Sequence, residues 1–147
     1  MKMAIGTPIY DKQGKYVSLE PGSEKTGNTL LIVEADNVQF TVIKSWNMMK
    51  WDKKNQHLKG IADLELLDRL NSLVRLPPAV EERRNRLRAV QDAVDRERVK
   101  KEPKPFYKYP VKLPLYAHQV RAADMCLLTF GWIAPEEAEQ YELGQTI

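Results

Sequence analysis

The sequence predicts an α+β fold: a small antiparallel β-sheet with a packed helix, a long charged helix and a C-terminal helical segment. Three observations carry this prediction. β-branched and aromatic residues gather in short runs between turn residues in the first third of the chain. Leucines then recur at helical spacing through residues 64–73. Finally, residues 79–101 form a long, charge-rich stretch with only a thin apolar stripe.

The elements follow in order. Residues 7–10 and 15–19 flank the turn-rich tetrad Asp11-Lys12-Gln13-Gly14, which predicts a hairpin. Pro21, Gly22 and Gly27 make residues 20–28 a loop. Residues 29–35 and 38–44 read as two strands around Asp36-Asn37, a two-residue hairpin turn. In the second of them Val38, Phe40 and Val42 alternate with Gln39, Thr41 and Ile43, the pattern of a half-buried strand. Residues 45–60 are polar and aromatic, with Trp46, Trp51 and His57. Asp63 caps a helix running to about Val74. Pro77-Pro78 closes that unit and opens the next, because proline fits a first helical turn.

The long helix over 79–101 is marked at both ends. Glu81 and Glu82 suit its N-terminus and Lys100 and Lys101 its C-terminus by the helix dipole. Val80, Leu87, Val90 and Val94 supply the apolar stripe, and Glu82/Arg86, Asp92/Arg96 and Glu97/Lys101 are spaced as i,i+4 pairs. Glu102 precedes a proline and lies at or beyond the helix end. Pro103, Pro105, Pro110 and Pro114 then punctuate an extended linker. A last helix covers 117–130, with Val120, Ala123, Leu127 and Leu128 on one side and Gly131 as its stop. This gives a β-rich domain with one helix over 1–76, the charged helix over 77–102, and a linker with a C-terminal helix over 103–147.

Composition bounds the function. With 147 residues, 43% apolar and 29% charged, the chain has the balance of an ordinary globular domain. Its longest apolar runs, residues 30–33 and 125–128, are far short of a membrane span, and no signal-peptide stretch opens it, so a cytoplasmic setting without membrane contact is expected. Cys126 is the only cysteine, which excludes an intrachain disulfide and is expected to be a buried small hydrophobe. With His57 and His118 as the only histidines, no zinc site forms without carboxylates, and no metal or cofactor is expected. Charge is uneven: residues 79–112 hold eleven Lys/Arg against six Asp/Glu, whereas 133–147 hold four Glu and no base. A basic middle and an acidic tail predict partner binding or a contact between the two.

The segment Leu113-Pro114-Leu115-Tyr116-Ala117-His118-Gln119-Val120-Arg121-Ala122-Ala123-Asp124-Met125 resembles the opening of a superfamily-two, Swi/Snf-type helicase-like ATPase. There a leucine or aromatic, a His or Tyr, and then Gln begin a helix, and the glutamine contacts adenine; the family commonly has proline where this chain has Ala117. The resemblance implies that Tyr116, His118 and Gln119 are a vestigial nucleotide motif. Further along, the family carries Glu-Met-Gly-x-Gly-Lys-Thr, where this chain reads Tyr141-Glu142-Leu143-Gly144-Gln145-Thr146-Ile147. A phosphate loop needs glycines for backbone N–H approach and a lysine on the terminal phosphates. Gln145 brings no charge, so ATP hydrolysis is not expected, and no catalytic residue is assigned. Lys-Thr within Gly22-Ser23-Glu24-Lys25-Thr26-Gly27 lacks the required order and reads as a hairpin connection. The first half resembles, more loosely, the β-rich accessory region ahead of such motors, through Met49-Lys50-Trp51-Asp52-Lys53-Lys54-Asn55 followed by the leucine-rich helix. This implies nucleic-acid contact by Trp51, Lys53 and Lys54, with Trp51 equally able to anchor the core.

Two further constellations could bind nucleic acid or a partner. Arg83, Arg84, Arg86 and Arg88 fall within six residues, but helical spacing spreads them around the circumference, which suits a solvated, salt-bridged face as well as phosphate contacts. Lys104, Phe106, Tyr107, Lys108, Tyr109 and Lys112 interleave bases with rings, a pattern that stacks unpaired bases or docks a linker on the core. His57 shows no acid pattern, and Glu136 and Glu137 read as a solvated face at a helix start. The expectation is a non-enzymatic binding protein derived from the front of a helicase. As a short protein starting at Met1, it suggests a phage or mobile-element inhibitor of a host nucleoprotein machine, by analogy with anti-CRISPR proteins. The alternatives are a DNA/RNA-binding accessory module and adenine-nucleotide sensing through Gln119.

Overall fold

The computed structural model describes residues 1–20 and 29–142. The loop expected over residues 20–28, apart from Glu20, and residues 143–147 of the phosphate-loop comparison made over 141–147 therefore lie outside the described residues. The fold is α+β, with a five-stranded antiparallel sheet and five helices among the described residues. Its chain divides into Met1–Asn85 and Arg86–Ile147, a division that runs through the long helix.

In the first unit the strands β1 (Lys2–Tyr10), β2 (Tyr16–Glu20), β3 (Thr29–Val33), β4 (Met49–Asp52) and β5 (His57–Ile61) take the order β2-β1-β3-β5-β4. Strand β1 has two partners. Lys2–Gly6 pairs with β3, Lys2 opposite Val33 and Gly6 opposite Thr29, while residues 7–10 pair with β2, with a register shift between Ile9 and Tyr10. Gly6 is the crossing point, where a Cβ would lie 2.2 Å from the Glu20 carbonyl oxygen, so no larger residue fits. Central strand β3 is buried on both faces, through Leu30 and Ile32 on one and Leu31 on the other.

Between β3 and β4 the sequence expectation fails. Residues 38–44 form not a strand but helix α1 (Asn37–Ser45). The local cause is a reciprocal cap. Asp36 Oδ1 accepts from the Gln39 backbone N–H at 2.8 Å, and Gln39 Oε1 accepts from the Asp36 N–H at 3.1 Å. This satisfies two amides that a helix start leaves bare, and it outweighs the strand preference of Val38, Val42 and Ile43. Helical spacing buries Ile43 and sets Phe40 against Trp51, leaving Val38 exposed. The following stretch, assigned no element from sequence, supplies the β4–β5 hairpin with Met49 opposite Gly60 and Asp52 opposite His57.

Helix α2 (Leu64–Leu73) is capped by Asp63, whose carboxylate accepts from the Leu66 N–H at 2.8 Å. It buries Leu66, Leu67 and Leu70 and turns Glu65 and Arg69 outward as an i,i+4 pair. Helix α3 (Pro78–Val99) starts where the proline pair predicted, with the Glu81 N–H bonding the Pro77 carbonyl.

The second unit has a small core of Ala93, Val94, Phe106, Leu128 and Ala138. Residues 100–116 hold no helix or strand, in keeping with their prolines. Helix α4 (Ala117–Thr129) follows and ends at Gly131, whose φ of +73° suits glycine and brings the Trp132 N–H onto the Leu127 carbonyl. Helix α5 (Pro135–Glu142) closes the description. On α4 the buried residues are Val120, Asp124 and Leu128, one turn apart. Cys126, two residues from both Asp124 and Leu128, points the other way and is exposed, which corrects its expected burial.

Candidate functional site

In the first unit the two hairpin turns are clasped by one side chain. Asn55 accepts from the Tyr16 N–H at 2.7 Å and donates to the Gly14 carbonyl at 3.1 Å and to Asp52 at 2.7 Å. Lys54, a candidate for nucleic-acid contact, donates its ammonium to the Gln13 carbonyl and so braces the same clasp. Lys53 is exposed in the turn. Trp51 is 38% exposed, with its ring edge-on to Phe40 at 5.2 Å, so it is partly an anchor and partly a surface ring.

His57, read from sequence as having no acidic partner, has one. The β4–β5 register sets it opposite Asp52, and its Nε2 lies 3.5 Å from Asp52 Oδ2 and 3.5 Å from the Tyr10 hydroxyl. Burial lowers the imidazole pKa, and the Lys59 charge adds to this against the pull of Asp52. Asp52 itself is held below the usual carboxylate range, chiefly by the Asn55 side-chain bond. At 3% exposure, edge-on to Tyr16, the imidazole acts as a packed hydrogen-bonding group that solvent scarcely reaches.

The arginines of α3 are largely engaged by carboxylates. Within the first unit Arg84 bonds Asp68 at 2.8 Å and Glu81 at 3.1 Å, and the Asp68 bond raises its pKa. Within the second, Arg86 reaches Glu136 at 2.7 Å and Arg96 lies 3.8 Å from Glu139. Basic helix and acidic α5 are thus in contact, one of the two outcomes their charge predicted. Glu136 is held below its ordinary value, first by its own backbone N–H and then by Arg86. Arg83 is half-buried and Arg88 exposed, and both have interactions of their own. Glu97 pairs with Lys100, one residue short of the Lys101 expected from i,i+4 spacing.

Asp124 organises the linker. Asp124 is fully buried; its Oδ1 accepts from the Phe106 N–H at 3.1 Å and from the Tyr109 hydroxyl at 3.0 Å, while Oδ2 has no hydrogen-bond partner among the described residues. Burial, reinforced by the charge of Glu97, pushes its pKa up to about 6, against both hydrogen bonds and Lys100. Phe106 and Tyr109 therefore dock the linker, leaving Lys104, Tyr107, Lys108 and Lys112 exposed. Arg121 donates to the Lys100 carbonyl and so closes off the C-terminal end of α3.

In the segment 113–125, Tyr116, His118 and Gln119 are all exposed. The Tyr116 N–H donates to Gln119 Oε1 at 3.0 Å, and the Tyr116 and His118 rings stack 5.7 Å apart at 9°. The glutamine carbonyl thus helps start α4. Among the described residues no three His, Cys, Asp or Glu side chains gather as metal ligands, and no helix is long and apolar enough to cross a membrane.

Sequence reasoning missed the Asp52–His57 pair, the Asp124 hub and a juxtaposition of Lys50 with Lys59 on adjoining strands. Each depends on tertiary pairing that no local spacing encodes. No protein-family model, curated protein or solved structure matches this chain.

Proposed function

We propose that the chain is a non-enzymatic binding protein that engages a nucleoprotein machine through the second unit. The observation that carries this reading is the exposure of Tyr107, Val111, Leu113, Tyr116, Phe130 and Trp132 in that unit, Leu113 by 79%. Large apolar and aromatic side chains of this kind are what a protein partner buries at the centre of an interface. Lys104, Lys108 and Lys112 add positive charge suited to steering an acidic or nucleic-acid-bearing surface. The resemblance of residues 113–125 to a Swi/Snf-type helicase segment supports descent from the front of such an enzyme. An inhibitor of phage or mobile-element origin, acting in the manner of anti-CRISPR proteins, is the biological setting that agrees with both.

A second reading, a DNA/RNA-binding accessory module, is favoured by the alternation of Lys104, Tyr107 and Lys108. The carboxylates bonded to Arg84 and Arg86 weigh against these arginines as its phosphate grips. Titrating the purified chain against a nuclease-treated CRISPR effector complex and against single-stranded oligonucleotides separates the two. One-to-one effector binding that Leu113→Asp weakens at least tenfold supports the inhibitor. Oligonucleotide binding that falls steeply with salt and ignores that substitution supports the accessory module. Stoichiometric turnover of ATP by the pure chain overturns both.

A further inference from the structure

We propose that the first unit binds a phosphate-bearing ligand in the cleft between Lys50 and Lys59. The β4–β5 register sets these two lysines directly opposite one another, so both side chains leave the same face of the sheet. Their Cβ atoms are then about 5 Å apart, a spacing at which like charges destabilise a ladder.

Protection of a sheet edge explains only half of this pair. Lysine on an edge strand discourages pairing with another chain, and β4 is an edge. Strand β5 is not, because it lies between β3 and β4. Lys59 is also held in place, with its ammonium 4.8 Å from the centre of the Tyr10 ring. An interior lysine fixed beside a second one is a placement that an anion makes favourable.

The space between them has the size and lining for such a ligand. A cleft of about 370 Å³ is lined by Thr29, Met48, Lys50, Lys59, Gly60 and Ile61. Its volume lies within the range of small-molecule sites. Two ammonium groups and a hydroxyl supply donors for phosphate oxygens, and among the described residues no carboxylate lines the cleft to cancel them. Asp52, the next residue along on the same face, is committed to His57, Asn55 and the Lys54 N–H. Ile61, 71% exposed, and Met48 offer an apolar wall for a sugar or base. A phosphate with an adjoining flat, weakly polar group describes a nucleotide, either free or as one link of a strand. This site belongs to the first unit and stands independently of the docking proposed for the second.

The test titrates the full chain with inorganic phosphate, adenosine monophosphate and a twelve-residue oligothymidine, following backbone amide signals by NMR. Shifts at Lys50, Lys59, Gly60 and Ile61 are expected, together with at least tenfold weaker binding for Lys59→Gln and for Lys50→Gln. Lys50→Gln is expected to leave the ligand-free melting temperature unchanged or raised, since it removes a repulsion, whereas Lys59→Gln also gives up the contact with the Tyr10 ring. Tighter binding of the monophosphate identifies a free nucleotide as the source; tighter binding of the oligonucleotide, with a steep salt dependence, identifies a strand. The proposal is overturned when none of the three ligands shifts these amides, or when both variants bind as tightly as the parent.

Discussion

The two units hold themselves together by different means. In Met1–Asn85 a five-stranded ladder and the buried leucines of β3, β5 and α2 form the interior, and the polar side chains at the hairpin turns reinforce a backbone already paired. In Arg86–Ile147 the core is small, and two buried carboxylates, Glu97 and Asp124, sit among its packed residues. The first arrangement rests on backbone pairing and apolar burial, and ionisation enters it through the Asp52–His57 contact, where burial lowers the imidazole pKa. In the second, a carboxylate fixes the linker, so its order is tied to pH. A short helical unit with little apolar area to bury gains definition from polar groups, at the cost of sensitivity to its medium.

Four experiments sharpen or break this contrast. The largest effect comes from the cores. Phe106→Ala should cost about 3–5 kcal/mol and Leu67→Ala about 2–5 kcal/mol. Hydrogen exchange should show each loss concentrated in its own unit; equal loss of protection throughout the chain would erase the distinction.

Next is pH. The folded-state pKa of Asp124 is raised, to about 6 from 3.8, so the folded unit holds this proton more tightly than the unfolded chain does. Its stabilisation is complete below the unfolded value and is lost as pH rises through about 6. Amide protection in the second unit should therefore increase by roughly 1–3 kcal/mol between pH 7 and pH 4, less whatever Glu136 loses as its lowered pKa is approached. Asp124→Asn keeps an acceptor for Phe106 and Tyr109 and should flatten the profile. An unchanged profile in this variant would remove Asp124 as its origin.

A smaller effect belongs to the clasp. Asn55→Ala removes the links to Tyr16 and Gly14 and should cost about 1–3 kcal/mol in urea melts. The smallest is Arg86→Gln. An ion pair whose Glu136 partner is 68% exposed should contribute only about 0.2–1 kcal/mol, and the difference between variant and parent should vanish in molar salt.

Legibility in the sequence followed the same division between local and tertiary causes. Helices α2, α3 and α4 were readable because their signals are local: Asp63 at a cap, Pro77-Pro78 at a start, Gly131 at a stop. Helix α1 carried its own local signal in Asp36 and Gln39, three residues apart. The alternation of Val38, Phe40 and Val42 imitates a strand and masks that capping pair. The β4–β5 hairpin was hidden because its strands are short and interrupted by Lys53, Lys54, Asn55 and Gln56, and its identity comes from pairing with β3. For the candidate sites, residue type was readable and engagement was not. The α3 arginines were found by composition, but their carboxylate partners Asp68 and Glu136 lie 16 and 50 residues away in the chain. Lys50 and Lys59 become neighbours only through strand register.

The change of partner at Gly6 makes the first few residues a shield. Strand β3, with Leu30, Leu31 and Ile32 in succession, is among the most apolar segments of the molecule, and Lys2–Gly6 covers one whole side of its backbone. Trimming those residues would leave a greasy row of open amides and carbonyls, a template onto which another molecule's strand could be added. Protease nicking at the amino end is therefore a route to self-association, even though it removes almost nothing from the hydrophobic interior.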